Sequence, residues 1–173
     1  MNILVTVASK HGSTAEIATA IAGTLREEGH DVEVLAPLAV RDVTRYDAVI
    51  LGSGVYAGRW IGSAKEFAET HAEALRARPV WLLSSGPLGE TPKPAEDPAD
   101  AVKMVKLLNP RGHRVFAGAL ALEEMGFGER TIIKMVKAPY GDFRDWDEIR
   151  AWAREIAQEL NRLPAPLAEP IPA

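Results

Sequence analysis

A chain of 173 residues, 47% apolar and 25% charged, has the size and make-up of one domain able to bury its own core. Its 20 Lys and Arg stand against 24 Asp and Glu for a net charge of −4, which argues against a nucleic-acid partner, since such partners select a basic footprint. The absence of cysteine excludes disulfides, thiolate zinc sites, iron–sulfur ligation and a cysteine nucleophile, so redox chemistry here needs a borrowed cofactor.

The opening Met1-Asn2-Ile3-Leu4-Val5 lacks the cationic and long apolar regions of a signal peptide and reads as a strand beginning at once. No apolar run approaches the roughly 18 residues of a membrane span, and a cytoplasmic protein is expected. The first strand is predicted over residues 3–8. A helix follows over 13–28, with Ile17, Ala18, Ile21, Ala22 and Leu25 at the 3.6-residue period and Gly29 as its stop. Ser13 and Glu16 have capping-box spacing, which places the helix start just after Gly12.

Further buried strands are predicted over 32–35, 48–51, 80–83 and 115–120, all continuous apolar runs of the kind found in a sheet covered on both faces. Between them, Ile61, Ala64, Phe67, Ala68, His71 and Leu75 mark one helix. Asp97-Pro98 opens another running to about Leu108, with the proline at its first position. Asp145 and Glu148 repeat the capping spacing before a last helix with Ile149, Trp152, Ala153, Ile156 and Leu160 as its stripe. Strands alternating with helices imply right-handed crossovers and a doubly wound α/β domain with five parallel strands and helices on both faces. The domain is read as residues 1–162, followed by a Pro-rich extended or disordered tail over 163–173.

Ligands of such sheets sit beyond the carboxyl ends of the strands. Three segments lie there: Ser9-Lys10-His11-Gly12-Ser13-Thr14, then Ser53-Gly54-Val55-Tyr56-Ala57-Gly58, then Ser84-Ser85-Gly86-Pro87-Leu88-Gly89. The first joins a strand to a helix amino end, where unpaired N–H groups, the helix dipole and three hydroxyls converge into a phosphate cradle. It matches neither Gly-x-x-x-x-Gly-Lys-Ser/Thr nor Gly-x-Gly-x-x-Gly. A single terminal phosphate suits it better than a nucleoside triphosphate or a dinucleotide.

The four histidines lack metal-ligand spacing, and no metal site is proposed; His71 reads as a packed helix residue. Ser84-Ser85 has no Gly-x-Ser-x-Gly elbow and no evident His/Asp pair, against a hydrolase. Leu122 to Tyr140 carries Arg130, Lys134 and Lys137 beside Ile132, Ile133, Met135 and Val136, a cationic amphipathic stretch suited to packing as a helix or to docking a redox partner or membrane surface.

The run Val7-Ala8-Ser9-Lys10-His11-Gly12-Ser13-Thr14-Ala15-Glu16-Ile17-Ala18 resembles the flavodoxin signature. Tyr46-Asp47-Ala48-Val49-Ile50-Leu51-Gly52-Ser53-Gly54-Val55-Tyr56 resembles that family's third strand and flavin-contacting loop. The order of residues 62–67, 117–120, 132–135 and 145–157 resembles the menaquinone-dependent protoporphyrinogen IX dehydrogenase branch. The resemblance implies a flavodoxin-like sheet of order 2-1-3-4-5 and FMN as cofactor. The first segment would hold its phosphate, and the other two would enclose its ring, with Tyr56 stacked on it and Trp60 close behind. It further implies electron transfer through flavin semiquinone and hydroquinone states, with a redox partner protein or a quinone and porphyrin as partners.

Two departures stand out: residues 84–89 lack an aromatic, which would open one flavin face to a substrate, and Arg59 is the one basic residue in 56–59. The competing readings are an electron carrier, a quinone-dependent protoporphyrinogen IX dehydrogenase-like enzyme, and a flavin-free interaction module. Donor, acceptor and oligomeric state are not legible in the sequence.

Overall fold

A computed structural model describes residues 1–86, 97–120, 126, 128 and 141–164. Chain order is β1 (Asn2–Ala8), α1 (Ser13–Glu27), β2 (Asp31–Leu35), a 3-10 turn (Pro37–Ala39), β3 (Ala48–Tyr56), β4 (Arg59–Trp60), α2 (Gly62–Thr70), α3 (Ala72–Arg76), β5 (Val80–Ser85), α4 (Ala99–Leu108), β6 (Gly112–Phe116), β7 (Ala119–Leu120), β8 (Gly141–Asp142) and α5 (Trp146–Arg162). The central sheet runs β2-β1-β3-β5-β6, every pair parallel. With the two-residue β4 left out of the numbering, this is the expected order 2-1-3-4-5.

Alternation along the strands divides the core. Ile3, Val5 and Val7 face the side covered by Ile17, Ile21 and Leu25 of α1 and Ile149, Trp152, Ile156 and Leu160 of α5. Leu4, Val49, Leu51 and Leu82 face the side covered by Phe67, Leu75, Met104 and Leu108. Each large aliphatic or aromatic side chain so buried is worth about 1.5–3 kcal/mol. The stripe read for the last helix is buried throughout, and Asp145 caps it, its Oδ1 accepting from the N–H groups of Asp147 and Glu148 at 3.0 Å each.

Several expectations change. Helix α1 starts where the capping spacing put it, but by other means: Gly12 is the N-cap and, among the described residues, no side chain caps the end. The Ser13 hydroxyl instead accepts from Ala119 N at 3.0 Å, and the Glu16 carboxylate pairs with Arg144 at 2.7 Å. The helix expected across 61–75 is two, because His71 leaves helical geometry at φ −104° and ψ 15°. His71 is half-buried, its ring 4.9 Å from that of Phe67. Pro98 is the N-cap of α4 rather than its first helical residue.

Strand β3 continues through residues 52–56, which were expected in a loop, because Ala8↔Ser53 and Gly54↔Ser85 keep the ladders going and Val55↔Trp60 adds an antiparallel pair. The fifth main strand is β6, three residues earlier than the apolar run predicted. As an outer strand it keeps Gly112, His113 and Arg114 only half-buried, so apolarity alone does not mark it. The run breaks at Gly118, where a Cβ would lie 3.2 Å from Gly86 Cα, and β7 then pairs with β8 in a separate small sheet. The Pro-rich segment 165–173 and most of residues 122–140 lie outside the described residues.

Candidate functional site

The first two segments converge at the carboxyl edge of β1 and β3. Gly12 adopts φ 81° with open space where a Cβ would be, a conformation that other residues adopt only with strain. The N–H groups of the first turn of α1 lack intrahelical acceptors, and among the described residues no side chain caps them. An anion placed there gains about 0.3–1 kcal/mol, up to about 2 when partly buried. Thr14 is buried and its Oγ1 faces β3, at 3.1 Å from the position of a Cβ on Gly54. Ser9 and His11 are half-buried, Lys10 exposed.

Tyr56 joins the two segments. Its ring lies 6.1 Å from that of His11, edge-on, and the Lys10 ammonium sits 5.8 Å from its centroid. Beyond it, Ala57 and Gly58 have φ 48° and 74°, the paired positive values of a tight two-residue hairpin turn. The Ser53 hydroxyl is turned inward, donating to Gly54 O at 2.8 Å and accepting from Ile61 N at 2.9 Å. Val55 is half-buried, and Tyr56, Ala57 and Gly58 are exposed.

Of the third segment, Ser84, Ser85 and Gly86 are described, and Pro87, Leu88 and Gly89 lie outside the described residues. Gly86 N donates to Phe116 O at 3.3 Å, which carries β5 and β6 to the edge of the site. Ser84 is completely buried. Its oxygen accepts from the Trp60 indole Nε1 at 2.8 Å and lies 2.9 Å from His113 Nε2, whose Nδ1 is 3.4 Å from the exposed Asp97 carboxylate. Burial pushes the His113 imidazole below its ordinary value, against the pull of Asp97. In that neutral ring Nδ1–H faces Asp97 and Nε2 accepts the Ser84 hydroxyl proton. The sequence showed no His/Asp pair near Ser84; the structure supplies one, with His113 29 residues on and Asp97 beside its ring. Complete burial of Ser84 excludes it as a nucleophile.

Two further residues escaped the sequence reading. Asp100 on α4 is 3% exposed, and its Oδ2 accepts from Trp60 N at 3.1 Å and from Lys65 Nζ at 3.1 Å. Burial opposes its charge, but the Lys65 hydrogen bond and charge outweigh that and hold the carboxyl below the usual range. Arg144 donates to Asp142 Oδ2 and Glu16 Oε2 at 2.7 Å each and to Ser13 O at 3.2 Å, with its guanidinium 4.5 Å over the Trp146 ring. These contacts tie β8 to the start of α1. Among the described residues no group of three or more His, Asp or Glu is placed to hold a metal ion, and no helix is long and apolar enough to cross a membrane.

A family model described as Flavodoxin domain matches residues 4–147. Among curated proteins, protoporphyrinogen IX dehydrogenase [quinone] of Escherichia coli strain K12 is 26% identical, over 94% of this chain and 98% of that one. Among solved structures, a flavodoxin from the domain Archaea superposes with TM-score 0.60 at 16% identity, covering 94% of this chain and all of that one. Oxidised flavodoxin 1 from Bacillus cereus superposes with TM-score 0.59 at 15% identity, covering 95% of this chain and all of the other. At such identities the structural matches establish the shared fold.

Proposed function

From a chain that belongs to the flavodoxin domain family, we infer an FMN-dependent redox protein whose phosphate site is the segment Ser9 to Thr14. FMN is the cofactor that membership implies. The observation that carries the site is the amino end of α1, which no side chain caps among the described residues: Gly12 stands there at φ 81° with Thr14 buried beside it. A terminal monophosphate fits this donor set, taking first-turn N–H groups and the Ser9, Ser13 and Thr14 hydroxyls, with Lys10 balancing its charge. The Ser13 oxygen already accepts from Ala119, so its proton remains to donate. Tyr56 and the Ala57-Gly58 turn would flank the ring on one side and Ser85 and Gly86 on the other. Bound FMN supplies one- and two-electron chemistry, while the protein binds, orients and tunes it.

The carrier role is favoured by composition: a net charge of −4 and a single basic residue in 56–59 offer little to hold porphyrin carboxylates. A second reading, a quinone-dependent protoporphyrinogen IX dehydrogenase, is favoured by the end-to-end likeness to the E. coli enzyme and by the lack of an aromatic in 84–89. Flavin-loaded protein mixed anaerobically with protoporphyrinogen IX and a menaquinone analogue separates them. A carrier produces porphyrin fluorescence no faster than free FMN does. Turnover well above that control establishes the enzyme.

A further inference from the structure

We propose that Asp100, on α4 and outside the three cofactor segments, is a positioning residue that holds the flavin-side hairpin in its binding shape. The proposal rests on the FMN reading above. The hairpin tip is weakly self-supporting: its antiparallel pairing consists of Val55↔Trp60 and Tyr56↔Arg59, and its turn requires positive φ at Ala57, a residue with a Cβ. A two-stranded ribbon of this length is marginal without outside contacts.

Those contacts converge on Trp60. Its backbone N–H is taken by Asp100 Oδ2 at 3.1 Å, its indole N–H by Ser84 Oγ at 2.8 Å, and the next N–H, of Ile61, by Ser53 Oγ at 2.9 Å. Ser84 and Ser53 belong to the sheet from which the hairpin springs. Asp100 alone of the three reaches it from another layer, 40 residues along the chain.

The acceptor is also charged, which makes it the strongest of the three, since hydrogen bonds to ionised groups are roughly twice as strong as neutral ones. Lys65 at 3.1 Å and Lys103 at 3.9 Å keep the carboxylate ionised although only 4% of the side chain is exposed. A lysine from α2 and one from α4 thus brace a carboxylate directly behind the strand that leads from the Tyr56 turn. Tyr56 and the turn amides touch the flavin ring in the reading above, whereas Asp100 meets Trp60, Lys65 and Lys103, on the hairpin side. Loss of Asp100 is therefore expected to weaken recognition of the ring rather than of the phosphate.

The test compares the full-length chain with Asp100→Ala, Asp100→Asn, and Met104→Ala as a packing control on the same helix. Amide hydrogen exchange at Trp60, read without flavin, is expected to quicken in Asp100→Ala and to recover in Asp100→Asn, whose amide oxygen still accepts. FMN and riboflavin are expected to lose affinity equally in Asp100→Ala, by about tenfold or more for a lost bond to a charged group, with a changed visible circular dichroism of the bound flavin. Asn should restore most of this, and Met104→Ala should lower the melting temperature while leaving both affinities within about twofold. Unchanged riboflavin and FMN affinities in Asp100→Ala, with a lowered melting temperature, would reduce Asp100 to a helix anchor and overturn the proposal. If the unaltered chain binds neither flavin, the cofactor reading falls and the positioning role with it, while the exchange result still reports on the clamp.

Discussion

The indole N–H of Trp60 meets the hydroxyl of Ser84 at 2.8 Å, inside a core where neither group reaches water. An indole can only donate, so the Ser84 oxygen is its acceptor and the serine proton turns to His113. The outcome is a directed chain from the hairpin through the sheet to Asp97 at the start of α4.

Ser84→Ala would leave the Trp60 donor and His113 Nε2 without their partner in a buried place. It is expected to cost about 1–3 kcal/mol, the penalty for a stranded buried polar group, read as a lower urea midpoint with an unchanged slope. A loss under about 0.5 kcal/mol would mean that the indole finds another acceptor.

Thr14→Ala tests the phosphate cradle. If the hydroxyl contacts the phosphate, FMN should weaken by about 1.5–3 kcal/mol, the range for a bond to a charged group, with riboflavin nearly unaffected. Fluorescence titrations of both ligands decide it, and equal losses would mark Thr14 as a packing residue alone.

Arg144 ties Asp142 and Glu16 to Ser13, and its own side chain is 8% exposed. Its hydrogen bonds to Asp142 hold the guanidinium pKa above its ordinary value, and the reciprocal contact holds the Asp142 carboxyl below its own. Arg144→Met is expected to cost about 1–2 kcal/mol in urea, the lower part of the range because both carboxylates are about half exposed and can be hydrated. FMN affinity should fall with it, since Ser13 loses one of its two outside supports.

Acid sensitivity follows from two histidines, His30 buried and His113 half-buried. Burial lowers the pKa of His30, aided by the nearby chain amino terminus, and burial lowers that of His113. The unfolded chain therefore binds more protons than the native one as pH drops through about 6.5. Stability is fully present above that value and declines towards and through the lower folded-state values. Urea midpoints should fall between pH 7.5 and pH 5, and His30→Gln should flatten the slope. The depressed carboxyls of Asp100 and Asp142 act with the same sign, but below about pH 4.

What the sequence by itself determined is what short-range patterns encode. The stripe and Asp145 cap of α5, the apolar runs of the inner strands, and the glycine-and-hydroxyl segments at their carboxyl ends all follow from periodicity and neighbouring residues. Right-handed crossovers then leave little choice about where these segments stand.

What only the tertiary structure decided is where polar groups go when their partners lie far along the chain. Ser13 looks like a capping residue from its neighbours, yet its oxygen is taken by Ala119, 106 residues away. The same holds for Asp100 with Trp60 and for Ser84 with His113, pairs 40 and 29 residues apart. Edge strand β6 is half polar because it pairs on one side only, so apolarity displaced it by three residues. A buried hydrogen bond carries no periodicity in the chain. It exists because desolvating a polar group is costly unless packing brings it an acceptor or donor, and that meeting is settled by the fold as a whole.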